Sequence, residues 1–207
     1  MIPFIQHSAV AAPLFRPNID TDVIIPSREM KTVSKAGLAD GAFANWRYTN
    51  VKDRVPNAEF VLNKDRFRAA EILVAGLNFG CGSSREHAVW ALKELGIRAV
   101  LAPSFGAIFE KNCVMNGLVP ARLDSADAET LASALEAEDP ALTVDLESMT
   151  AALGDQSYSL ALNDSYRAML MNGWDAIELT LQQQDAIKDW QARARADRPW
   201  ISESLKP

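Results

Sequence analysis

Between residues 71 and 121 short apolar runs alternate, across turns, with stretches whose apolar residues lie on one helical face. Ile72-Leu73-Val74-Ala75-Gly76 reads as an interior strand. A Gly-rich turn follows, and Ser83 or Ser84 can cap a helix that runs to about Leu95 and is ended by Gly96. Val100-Leu101-Ala102 reads as the next strand, Phe105 to Asn116 as a helix stopped by Gly117, and Leu118-Val119-Pro120-Ala121 as another strand. Short strands alternating with one-face helices predict an α/β layer that contains parallel strands.

The flanks are less regular. Residues 1–12 suffice for one short strand. Two prolines and an Asn/Asp cluster make Pro13 to Asp22 a shaped loop, after which Val23-Ile24-Ile25 forms a buried run that Pro26 stops. Residues 27 to about 68 have no clean period, yet Phe43, Trp46, Tyr48, Phe60 and Phe67 imply packing against this chain or another. Asp127 to about Glu138 is rich in Ala, Leu and Glu and predicts a helix. Residues 142–162 predict two short strands joined at Gly154-Asp155, and Asp164 to Met171 a short helix. Residues 174–196 predict one long polar helix with Ile177, Leu181, Ile187 and Trp190 as apolar contacts and Pro199 as its end. Residues 1–207 are thus read as a single domain, with an elaborated segment at about 27–68 and a C-terminal helical extension at about 174–207.

Composition narrows the classes of function. A chain of 207 residues with 48% apolar and 23% charged content can bury a sizeable core. A net charge of -6, without a basic run interleaved with aromatics, argues against a nucleic-acid partner. No apolar run is long enough to span a bilayer, and Met1 to His7 lacks the pattern of a secretory signal. Two cysteines, Cys81 and Cys113, make neither a disulfide framework nor the ligand set of a metal cluster. A cytoplasmic chain is expected, with Cys113 as a core residue.

The chemistry concentrates in Gly76-Leu77-Asn78-Phe79-Gly80-Cys81-Gly82-Ser83-Ser84-Arg85-Glu86-His87-Ala88. Glycines let the backbone approach a ligand, and a strand feeding a turn and then a helix directs backbone N–H groups toward the turn. Two hydroxyls and a guanidinium fork complete an anion site that suits a carboxylate or a phosphate. A serine oxygen in such a positive nest is suited to act as a base or as a nucleophile. The loop lacks the lysine of a Walker A sequence, and it is not a Gly-x-Ser-x-Gly elbow. His87 reads as a structural neighbour of the loop rather than a metal ligand.

Gly80 to Ala88 resembles the signature of the mobile C-terminal domain of aconitase-type hydro-lyases. Asn18-Ile19-Asp20-Thr21-Asp22-Val23-Ile24-Ile25-Pro26 resembles the early motif of the isopropylmalate dehydratase small-subunit family. Asn45-Trp46-Arg47-Tyr48, Ile108-Phe109-Glu110-Lys111-Asn112, Asn116-Gly117-Leu118-Val119-Pro120 and Asn172-Gly173-Trp174-Asp175 match as well, in order along almost the whole chain. The resemblance implies a swivelling β/β/α domain in which Ser83 is the general base and Arg85 binds a substrate carboxylate. Ser84 lines the same pocket, Asp22 reaches the site from the early motif, and Gly80, Gly82, Glu86 and His87 support the loop. Arg28 and Lys31, in the segment after Pro26, are candidates for contact with the substrate's variable group. The resemblance further implies a [4Fe–4S] cluster carried by a separate large subunit, with none bound by this chain. The implied reaction is isomerisation of 2-isopropylmalate to 3-isopropylmalate through 2-isopropylmaleate, in leucine biosynthesis. The alternatives are the small subunit of a homoaconitase or methylmalate/citraconate-type dehydratase, and a non-catalytic anion-binding module.

Overall fold

In the computed structural model, which describes residues 1–30, 36–137, 141–198 and 200, seven strands close into a barrel. The strands are β1 (Gln6–Leu14), β2 (Tyr48–Asn50), β3 (Val55–Pro56), β4 (Ile72–Ala75), β5 (Ala99–Ala102), β6 (Val119–Leu123), β7 (Ala141–Asp145), β8 (Thr150–Leu153) and β9 (Gln156–Ala161). The helices are α1 (Thr21–Ile24), α2 (Ala44–Arg47), α3 (His87–Glu94), α4 (Ala107–Met115), α5 (Ser125–Ala137), α6 (Asp164–Asn172), α7 (Ala176–Leu181) and α8 (Gln184–Asp197). Around the barrel the order is β1-β4-β5-β6-β9-β8-β7, while β2 and β3 form a separate ribbon.

Strand β1 joins two kinds of pairing. Its residues Ala11 to Leu14 run parallel to β4, and Gln6 to Val10 run antiparallel to β7. From β4 through β5 to β6 the pairing is parallel, as expected, and from β6 through β9 and β8 to β7 it is antiparallel. Every residue of β4 and β5 is buried, because apolar layers cover both faces. Leu73, Ala75, Val100 and Ala102 face a core shared with α3, α4 and the long segment from Leu38 to Ala70. Their neighbours Ile72, Val74, Ala99 and Leu101 face a second core shared with α5, α6 and the antiparallel strands. Period-two alternation thus divides one short parallel sheet between two cores.

The aromatic residues of the long segment pack within this chain. Phe43 is fully buried, Phe60, Phe67 and Tyr48 nearly so, and Trp46 stacks on Phe43. Cys113 is buried in the core, as its sequence context predicts.

Three expectations need correction. Residues 142–162 form three strands rather than two. The extra break comes where Asp145 accepts bonds from the Glu147 and Ser148 amides and Met149 takes a left-handed conformation, a tight turn without a glycine. The C-terminal extension is two helices, not one. Hydrogen bonds from the Gln182 amide to Leu179 O and from the Gln183 amide to Thr180 O tighten the end of α7 into a stop. Ile177, Leu181 and Trp190 on these helices are exposed, so they make no core contact here. The third correction concerns α3, which starts at His87, preceded by Glu86. Ser83 and Ser84 therefore do not cap it, because the loop spends them on other contacts. Pro199 and Lys31 lie outside the described residues.

Candidate active site

The Gly-rich loop leaves the C-terminal end of β4, between the exits of β1 and β5, and it is fastened to both. Toward β1, Asn18 N–H donates to Leu77 O (2.8 Å), Gly80 N–H to Ile19 O (2.7 Å) and Thr21 N–H to Cys81 O (2.9 Å). Toward β5, Phe79 N–H donates to Ser104 O (3.0 Å) and Gly106 N–H to Phe79 O (2.9 Å). Single parallel bridges, Asp20 with Cys81 and Phe79 with Phe105, extend the sheet past the ends of its strands. The early motif and the Gly-rich loop are thereby brought together at the face where parallel sheets assemble ligand sites.

Gly80 is obligatory. Its φ is +70°, and a Cβ there would lie 2.2 Å from the Phe109 ring. Phe109 and Phe105, from α4 and the turn before it, meet Phe79 edge-on and so form the floor beneath the loop. Gly82 has φ +93° and turns the chain toward Ser83.

Ser83 is held by its backbone. Its N–H donates to Thr21 Oγ1 at 3.1 Å, and Thr21 Oγ1 donates in turn to Ser83 O at 3.3 Å. Thr21 is buried. The Ser83 hydroxyl is left to the side-chain partner that matters: Arg85 Nε donates to Ser83 Oγ at 2.9 Å. A fixed positive charge on that oxygen favours its alkoxide over its alcohol. Arg85 is exposed, and its Nη1 lies 3.8 Å from Met30 Sδ. The guanidinium thus touches the serine on one edge and a thioether from the segment after Pro26 on the other.

The remaining predicted residues fall into two groups. Ser84 is exposed, with its carbonyl accepting from Asn112 Nδ2 (3.3 Å). The Glu86 carboxylate accepts from Asn116 Nδ2 (2.7 Å), and Asn116 Oδ1 accepts from Trp90 Nε1 (3.1 Å). The His87 ring sits 4.8 Å from the Trp90 ring. These contacts fasten the far side of the loop to α3 and α4. Asp22 is exposed on α1, next to Thr21, and its carboxylate accepts from Ser27 N–H at 3.1 Å. Arg28 is turned toward its own segment, donating to Asn45 Oδ1 and lying 3.6 Å from Glu29. Cys81 has its thiol pKa raised by burial first and by the Asp20 carboxylate second, which keeps it protonated and poorly nucleophilic.

Sequence reasoning missed Thr21, Met30, Asn112 and Asn116. Thr21 stood inside the early motif, where the neighbouring aspartates drew the attention. Met30 carried no signal, since an unbranched apolar residue in an aperiodic segment has no expected direction.

Fold and loop together define an α/β domain that presents a cation-paired serine at one open face. The family model of the aconitase C-terminal domain matches residues 1–126, and that of the C-terminal domain of the 3-isopropylmalate dehydratase small subunit matches residues 177–204. The 3-isopropylmalate dehydratase small subunit of Cupriavidus necator is 54% identical over 97% of this chain and 98% of its own length. Those of Rhodospirillum centenum and Teredinibacter turnerae are 45% and 40% identical, each over 97% of this chain and over 98% and 97% of their own lengths. A crystal structure of 3-isopropylmalate dehydratase from Methanocaldococcus jannaschii superposes with a TM-score of 0.62 at 25% identity, over 90% of this chain and 99% of that one.

The chain belongs to the aconitase C-terminal domain family and, within it, to the small subunits of 3-isopropylmalate dehydratase. The small-subunit designation implies a large-subunit partner, and the aconitase relationship points to an iron–sulfur enzyme. Among the described residues no group of three or more His, Cys, Asp or Glu side chains could hold a metal ion. Cys81 and Cys113 stand apart, one in the loop and one in the core, so the donors present do not fit a cluster. No helix among the described residues is long and apolar enough to cross a membrane.

Proposed function

We propose that this chain is the proton-transferring half of a heteromeric hydro-lyase that interconverts 2-isopropylmalate and 3-isopropylmalate through 2-isopropylmaleate, in leucine biosynthesis. The observation that carries the reading is the 2.9 Å bond from Arg85 Nε to Ser83 Oγ, on a loop fastened from both sides.

In this reading Ser83 is the base. The Arg85 charge makes its alkoxide accessible, and Thr21 fixes the backbone from which it projects. The exposed guanidinium receives one substrate carboxylate, which acidifies the adjacent C–H by withdrawing charge as the carbanion forms. Ser83 Oγ then takes the proton from that carbon and holds it until readdition. Ser84 and Asp22 border the same face from the two zipped loops, while Gly80, Gly82, Glu86 and His87 keep the loop in shape. Arg28 contributes through its hold on Asn45 and Glu29, bracing the turn that bears Met30. Expulsion of the hydroxyl group calls for a Lewis acid, and we assign the [4Fe–4S] cluster that supplies it to the large subunit. Docking of the two subunits completes the site and excludes water from it.

Anaerobic turnover of 2-isopropylmalate by the chain mixed with its cluster-bearing large subunit tests the reading, with each subunit alone as control. Activity in the mixture alone, abolished by Ser83→Ala, is the expected result. An intact complex that ignores 2-isopropylmalate but dehydrates homocitrate or a methylated malate would replace the substrate. A complex that turns over normally with Ser83→Ala would remove the base.

A further inference from the structure

At the end of α3 away from the Ser83–Arg85 loop, one exposed carboxylate is held by three backbone amides. Glu94, the last residue of α3, accepts from three successive backbone amides: Gly37 N–H at 2.6 Å, Leu38 N–H, and Ala39 N–H at 2.9 Å. Gly37 has φ +87°, the left-handed turn that points successive amides at one centre and makes a cup for an anion. Here the anion is a side chain of the same molecule. Those amide bonds hold the Glu94 pKa below the usual glutamate range against a smaller opposing effect of burial.

The turn held in this way, Ala39–Gly41, is the support for the residues that touch Arg85. A Cβ at Gly41 would lie 2.6 Å from Glu29 Cβ, so Gly41 sits flush against the Glu29 side chain with no room for one of its own. Arg54 spans the same joint, reaching Glu29 Oε2 at 2.6 Å and Asp40 Oδ2 at 2.9 Å. Tyr48 Oη fixes Asp40 by donating to its Oδ1 at 2.7 Å. Glu29 is followed by Met30, whose sulfur meets Arg85 Nη1, and Arg85 leads back into α3 and Glu94. The contacts close a ring: Arg85, α3, Glu94, the amides of residues 37–39, Gly41, Glu29, Met30, Arg85.

We infer that Glu94 is a positioning residue for substrate binding, acting through the turn it holds to fix Met30 against the Arg85 guanidinium. Ser83 meets the guanidinium through Nε rather than through the Nη1 that faces Met30, and its backbone is pinned separately by Thr21. Removing the Glu94 charge therefore releases one edge of the carboxylate clamp while the base keeps its anchor. The inference rests on the assignment of Arg85 as the substrate clamp.

The test uses the complex of this chain with its large subunit. Glu94→Gln retains shape but weakens acceptance of the amides, and Gly41→Ala perturbs the same ring at the Glu29 joint. Each should raise KM for 2-isopropylmalate about tenfold and leave kcat within about threefold. Glu94→Asp should recover part of the loss, and Glu129→Gln, on the exposed face of α5, should change nothing. Hydrogen exchange at the amides of residues 37–39 should quicken in Glu94→Gln without a change at Ser83. Equal falls in kcat and kcat/KM, an unchanged KM, or unchanged exchange at residues 37–39 would each overturn the inference. If the wild-type complex ignores 2-isopropylmalate the substrate assignment fails instead, and the exchange measurement still decides whether Glu94 holds the ring.

Discussion

The two halves of the barrel solve the problem of closure with different connections, and the difference decides where long loops gather. On the antiparallel side, β7, β8 and β9 are joined by tight turns, at Leu146–Met149 and at Gly154-Asp155, which leave few residues beyond those that reverse the chain. Their strands alternate buried with half-buried or exposed residues and serve one core. On the parallel side each connection must cross the sheet, so β1, β4 and β5 exit into long segments at one shared face. Those segments satisfy each other's backbone groups, and the side chains left over at their tips are Ser83, Arg85 and Asp22. The proposed site sits where the topology demands excess chain, beside a parallel sheet that is itself buried on both faces.

Mutations can break that division. The largest expected effect is Ser83→Ala, which should lower kcat of the two-subunit enzyme by about 10²–10⁴-fold while leaving thermal unfolding of the chain unchanged. In the antiparallel half the sign reverses. Leu142→Ala, fully buried between β1 and β8, should cost about 2–5 kcal/mol in denaturant unfolding and leave KM and kcat intact once folded. A Leu142 variant with normal stability and poor turnover would refute the separation. Thr21→Val sharpens it, since the buried hydroxyl is shared between a stable element and the loop. About a tenfold loss of kcat is expected, with a smaller penalty in stability than at Leu142.

The smallest effect concerns pH. Glu94 has its pKa depressed in the folded chain, so its amide bonds stabilise the fold fully above the ordinary glutamate range and less as pH falls through the folded value. Thermal unfolding compared between Glu94→Gln and wild type should show a stability gap at neutral pH that narrows on acidification. A gap that widens instead would contradict the hold on residues 37–39.

Legibility followed periodicity. The runs at Ile72, Val100 and Leu118 announced strands because they are short, apolar throughout and bounded by turn residues, and Gly96 and Gly117 marked where helices ended. The turn at Gly80 to Ala88 was legible as a Gly-rich loop between a strand and a helix but not for its capping. Ser83 and Ser84 look like caps in one dimension, yet Thr21, 62 residues away, takes the Ser83 amide. The extra strand near Met149 was hidden because a non-glycine residue took the left-handed turn. Long-range partners of this kind leave no local trace.

The linear order of residues was enough to set the α/β class, the parallel core strands and, by resemblance, the family. Those follow from local preference and from residue chemistry, which the chain carries at every point along its length. Three features came only with the fold: the strands close into a barrel, Thr21 and not the α3 terminus anchors Ser83, and Met30 meets Arg85 with Glu94 behind it. Each of these is a contact between residues far apart in sequence, fixed by how two buried faces of one sheet are covered and not by the propensity of any residue in it.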